Sequence, residues 1–152
     1  MKILSIVTET TQLRHTVVSG TQSEPALEHA ALSKLALPMN VSDGAGLATL
    51  FKTLCSLIEH EAPDEIAILQ AGKAKFGNSS SVRIKVEAVI QLAADHCKVA
   101  CQLVAPQTLR TKEKKFSSIA GKTPEVVFNA GAPFTPKVMN DAVLTGWTQL
   151  PK

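Results

Sequence analysis

Two stretches carry apolar residues at spacings of three and four: Leu47, Leu50, Phe51, Leu54, Leu57, Ile58, and later Val82, Val86, Val89, Ile90, Ala93. They alternate with two short apolar runs, Glu65–Leu69 and residues 99–104. The first spacing predicts helices with one buried face, and the runs predict strands covered on both sides. Such alternation confines the chain to a layered α/β sheet, because each helix must bury its stripe against a sheet face. The chain opens differently. Lys2–Thr8 and residues 13–19 are strand-like and separated by polar turn residues, which predicts a hairpin, and a third strand is expected near 33–37 before Pro38. Pro106 opens a short helix expected over 107–115. Residues 117–135, with Gly121, Pro124, Gly131 and Pro133, read as loop with an extended piece at 126–128, and Thr135-Pro136 leads into a last helix carrying Val138, Ala142 and Leu144. The expected fold class is a mixed five-stranded α/β sheet, three antiparallel strands then parallel ones, with flanking helices, as a single domain over 1–152.

A chain of 152 residues, 45% of them apolar, buries roughly 70% of its unfolded surface and needs no disulfide or structural metal. No apolar run approaches the ~18 residues of a membrane span, and the apolar start turns polar at Thr8, too early for a signal peptide. A cytoplasmic protein is expected, without membrane partners. Cys55, Cys97 and Cys101 are odd in number and lack a CxxC spacing, so they read as reduced, buried structural thiols. A metal held by Cys97 and Cys101 would need helix through both, whereas 98–100 looks like the entry to a strand. His15, His29, His60 and His96 have no partner at a recognisable spacing, and no cofactor is implied.

Charge is unevenly spread. Up to Glu65 there are 4 basic and 8 acidic residues; from Ile66 onward there are 12 and 5. The basic residues concentrate at Arg110, Lys112, Lys114 and Lys115, with Lys73, Lys75, Arg83 and Lys85 as an earlier group. Clusters of this kind are the electrostatic footprint of a phosphate-backbone binder, or else a solvated loop and helix face. The serines at 79–81 offer hydroxyls to cap the following helix, and the N–H groups there offer a seat for a phosphate.

Three stretches carry a resemblance. Glu65-Ile66-Ala67-Ile68-Leu69-Gln70, Phe76-Gly77-Asn78-Ser79-Ser80-Ser81 and Val104-Ala105-Pro106-Gln107-Thr108-Leu109-Arg110 resemble the matching parts of RuvC-type Holliday junction resolvases, within the ribonuclease-H-like superfamily. Residues 76–107, including Lys85-Val86-Glu87-Ala88-Val89-Ile90-Gln91-Leu92, are also similar to a small uncharacterised bacterial family of that fold.

For an active resolvase the resemblance implies a two-metal site: an Asp in the first strand, a Glu ending the fourth, and two Asp residues on the last helix. Here those positions are Val7, Leu69 and Val138, and only Asp141 matches. Two Mg²⁺ ions about 3.5 to 4 Å apart need several converging carboxylate oxygens, which one Asp cannot supply. The chain is therefore expected to be no enzyme: a degenerate resolvase relative that binds DNA or RNA through Lys73, Lys75, Arg83, Arg110, Lys112, Lys114 and Lys115. A second reading is a protein-interaction module, expected as a homodimer, for which the resemblance implies pairing through the second helix around Arg83, Glu87 and Gln91. A third is a nuclease with a relocated site at Glu9, Glu87 and Asp141. Their plainer roles are a solvated turn residue, half of an i, i+4 pair with Arg83, and an exposed helix residue. Convergence of the basic residues on one surface separates the first reading from the second.

Overall fold

The computed structural model describes residues 1–28, 33–38, 43–72, 80–120 and 123–152, with the backbone alone for 117–120. Lys2–Thr8 (β1) and Gln12–Gly20 (β2) form the expected hairpin, with Lys2 opposite Ser19 and Val7 opposite Arg14. Six of the seven β1 residues are buried, as in a strand covered on both faces. Two short strands, Pro25–Leu27 (β3) and Ser33–Ala36 (β4), follow one another along the outer edge of β2. The sheet therefore has six strands rather than five. Gly20 closes the turn before β3 at φ +93°, and a Cβ there would lie 2.3 Å from the Glu24 carbonyl oxygen, so the turn requires glycine.

Gly44–Glu61 (α1) starts at Asp43, whose carboxylate accepts the Gly46 N–H, and buries Leu50, Leu54 and Ile58. Glu65–Leu69 (β5) then runs parallel to β1, Ser81–His96 (α2) crosses over, and Ala100–Val104 (β6) runs parallel to β5. The order β3-β2-β1-β5-β6 puts the two longest strands beside the centre. Ser80 stands at the start of α2, but its side chain makes no capping bond.

Pro106–Ala120 (α3), Pro124–Val127 (α4) and Lys137–Gln149 (α5) complete the chain. α3 runs past the expected end at Lys115, because Phe116 packs edge-on against Trp147 with ring centroids 4.7 Å apart, a contact that holds the extra turn. Val126 and Val127 sit in the one-turn α4 rather than in an extended piece, with Pro124 as its first residue.

Two apolar clusters flank the sheet. On one face Ile3, Val7, Ala67 and Leu69 pack with Leu109, Phe116, Ala142, Val143 and Trp147, so α3 and α5 cover this side. On the other Leu4, Ile6, Leu13 and Ile68 pack with α1 and α2. α5 lies tight on the sheet: the buried Ser5 hydroxyl donates to the Ala142 carbonyl, and a Cβ at Gly146 would lie 2.9 Å from Val18 Cγ2. All three cysteines are partly exposed, not buried. Among the described residues no helix is long and apolar enough to cross a membrane.

Candidate nucleic-acid interface

β1 and β5 end side by side, and parallel pairing sets Val7 against Leu69. Val7 is 3% exposed and Leu69 8%, both within the α3–α5 cluster, and Val138 packs against the same cluster from the first turn of α5. Hydrocarbon side chains offer no lone pairs, and a divalent cation leaves its hydration shell only for oxygen ligands. The residues at these three positions therefore do not fit a pair of metal ions. Among the described residues no three of His, Cys, Asp and Glu come together, so Glu9, Glu87 and Asp141 form no such group either.

Each of those three carboxylates has its own partners. Glu9 sits in the β1–β2 turn, where Arg14 Nε donates to its Oε2 at 3.0 Å and Gln12 Nε2 does so at 2.9 Å. Arg14 also lines an open cleft of about 300 Å³ with Phe134 and Met139. Glu87 is buried, not part of an outward pair. Its carboxylate accepts the Ala71 N–H, and the Thr8 hydroxyl and the Arg83 guanidinium lie beside it; Arg83 Nε also donates to Thr8 Oγ1 at 3.3 Å. Glu87 thus ties the end of β1, the start of the loop after β5 and the first turns of α2 together.

Asp141 is half-buried rather than exposed, between α5 and α3. Lys137, one turn before it, and Arg110 and Glu113 of α3 are its charged neighbours. α3 buries Leu109 and Phe116 and leaves Arg110, Lys114 and Lys115 exposed, with Lys112 partly so. Arg110 and Lys137 therefore flank Asp141 together with a second carboxylate, Glu113, and the other cations lie on the same helix α3. Arg83 belongs to the opposite layer, engaged with Thr8 and Glu87, and Lys73 and Lys75 lie outside the described residues. Arg110, Lys112, Lys114 and Lys115 share α3, whereas Arg83 lies in the opposite layer, so these two groups do not converge on one surface, which is the arrangement expected of the protein-interaction reading. Sequence reading missed Lys137, whose i, i+4 spacing from Asp141 was the available signal.

Burial raises the carboxyls of Glu87 and Asp141 above their ordinary range, and also that of Glu65. For Glu87 the Ala71 N–H, Arg83 and Thr8 oppose this in part; for Asp141 Lys137 and Arg110 oppose it while Glu113 adds to it. The folded chain thus holds these protons more tightly than the unfolded one, so their contribution to stability is complete below about pH 4 and is lost as pH rises through the raised folded values. The fall in melting temperature from pH 4.5 to pH 7.5 is expected to be smaller in Glu87→Gln plus Asp141→Asn than in the unaltered chain. An equal or larger fall in the double variant contradicts this assignment.

No family model and no curated protein matches this chain. Solved structures do. One is Thermus thermophilus RuvC in complex with a Holliday junction substrate, at TM-score 0.74 and 12% identity, covering 97% of this chain and 92% of that one. A second Thermus thermophilus RuvC structure gives 0.73 and 13%, with the same coverage. The yeast mitochondrial Holliday junction resolvase gives 0.64 and 15%, covering 95% of this chain and 76% of that one. The fold is ribonuclease-H-like, in its RuvC form. These neighbours correct the expectation that the chain is no enzyme: a RuvC in complex with Holliday junction substrate and a Holliday junction resolvase share this architecture. Val7, Leu69 and Val138 offer no oxygen ligand at these three positions.

Proposed function

We propose that this protein binds nucleic acid, branched DNA above all, on the face formed by α3 and the start of α5. Arg110, Lys112, Lys114, Lys115 and Lys137 take the phosphates. The observation that carries the reading is the row of exposed cations along α3 beside Lys137, in a fold shared with a RuvC bound to a Holliday junction substrate. Arg83 has a different part: with Glu87, whose carboxylate accepts the Ala71 N–H, it ties Thr8 at the end of β1 to the first turns of α2. With no Tyr and a single Trp, which is buried and donates to the Gln22 carbonyl, stacking on bases contributes little and affinity rests on the phosphate backbone. Binding to a four-way junction and to a linear duplex, measured between about 50 and 200 mM salt, is expected to fall roughly a thousandfold for six phosphate contacts. Absence of binding to either at the lower salt sinks the proposal.

One observation favours a second role. Ile84 and Leu92 are 52% and 59% exposed and, with Ala88 between them, form an apolar stripe on the outer side of α2. Two antiparallel copies of this stripe are self-complementary about a two-fold axis, which suits a homodimer. Glu87 takes no part in that surface, being turned inward. Sedimentation of the chain and of a Leu92→Asp variant reads this directly: a dimer that becomes a monomer is expected.

A further inference from the structure

α1 and α2 lie side by side on one face of the sheet, and two thiols meet at one end of their contact. Cys55 belongs to α1 and Cys97 ends α2, each partly exposed, and the two thiols are neighbours. A ring contact places them independently: Phe51, one helical turn before Cys55, packs edge-on against His96, the neighbour of Cys97, with centroids 5.3 Å apart. Both sulfurs pack at the margin of the same apolar cluster. Cys101 packs there too, but its charged neighbour is Glu65 of the adjoining strand.

We infer that Cys55 and Cys97 are a redox pair that closes into an intramolecular disulfide when a peroxide oxidises the protein, stapling α1 to the end of α2. Burial and the neighbouring Cys97 and Glu59 push the Cys55 thiol up to about 11. One of the two sulfurs attacks hydrogen peroxide as its thiolate, the O–O bond breaks, and that cysteine becomes a sulfenic acid as one water leaves. The other thiol then gives up its proton, its sulfur attacks the oxidised one, the S–O bond breaks and a second water leaves. Two thiols are oxidised and one peroxide is reduced to two waters. Closing the long loop between positions 55 and 97 restricts the unfolded chain, so the oxidised form melts at a higher temperature.

Trypsin cleaves after Lys98 and so separates Cys97 from Cys101. Treating the full chain with hydrogen peroxide and mapping it without reduction is expected to give one cross-linked pair, the peptide of Cys55 with that of Cys97. The intact mass falls by two hydrogens, and dithiothreitol reverses the change. Cys101→Ser leaves the cross-link in place, whereas Cys55→Ser or Cys97→Ser abolishes it. Phenylarsine oxide, which bridges neighbouring thiols without oxidation, is expected to bind the reduced protein once, and not to bind Cys55→Ser. A link to Cys101, links only between chains, or over-oxidised Cys55 or Cys97 with no link each overturns the inference. So does failure of the arsenical to bridge the pair.

Discussion

Reversing the three exposed cations of α3, by Arg110→Glu, Lys114→Glu and Lys115→Glu together, is expected to weaken junction binding by roughly 100- to 1000-fold at about 0.1 M salt. Each lost phosphate contact removes close to one unit from the slope of log affinity against log salt, so the slope should shrink by about three. Branched and linear DNA should lose affinity alike, because these groups meet the backbone and not base edges. Lys114→Glu and Lys115→Glu should spare the fold, since substitutions on exposed helix faces usually stay within about 0.5 kcal/mol, whereas Arg110→Glu also sets a carboxylate beside Asp141 and Glu113 and costs somewhat more. Lys52→Glu, exposed on α1 in the opposite layer, is the matched control and should change binding little. Equal affinity of the triple variant and the unaltered chain, with an unchanged salt slope, removes α3 from the interface.

Gly146→Val is expected to lower stability by about 3 kcal/mol, the upper part of the usual range for overpacking a core. In a chain of this size that is a fall of roughly 6 to 12 °C in melting temperature. The cause is the seam where α5 crosses the hairpin: a Cβ at Gly146 would stand 2.9 Å from Val18 Cγ2 and 3.1 Å from Ser5 Cβ. Neither neighbour can retreat. Val18 is fully buried in the same cluster, and Ser5 is fixed by its hydrogen bond to Ala142 one helical turn earlier. Gly146→Ala should be milder, because the helix gains about 1 kcal/mol on losing a glycine and offsets part of the clash. Gly44→Ala meets nothing within 4 Å and should leave stability nearly unchanged. A Gly146→Val variant as stable as the parent means that α5 sits higher on the sheet than described.

The helices α1 and α2 and the strand Glu65–Leu69 were legible because each carries its own repeat: a buried stripe at three and four, or a continuous apolar run. Pro25–Leu27 was not, since three residues with a proline carry no strand pattern, and only the free edge of β2 recruits them. The last turn of α3 was obscured by Ser117-Ser118 and is held by Phe116 against Trp147, a contact between residues far apart in the chain. At the site, Val7, Leu69 and Val138 could be read as hydrocarbon from the resemblance alone. That Asp141 is half-buried among Arg110, Glu113 and Lys137 could not, because α3 and α5 meet only after both have folded onto the sheet.

Local order settles what local order can: which segments become helix or strand, which ends carry positive charge, and which positions lack an oxygen to offer a cation. Periodicity and side-chain chemistry act within a few residues and survive in any conformation. Tertiary structure alone decided that Glu87 turns inward to Thr8 and Ala71, that Arg83 is taken from the basic surface to join it, and that Cys55 meets Cys97. Burial and hydrogen bonding to distant residues arise only when layers close, and their strength depends on the water that closure expels.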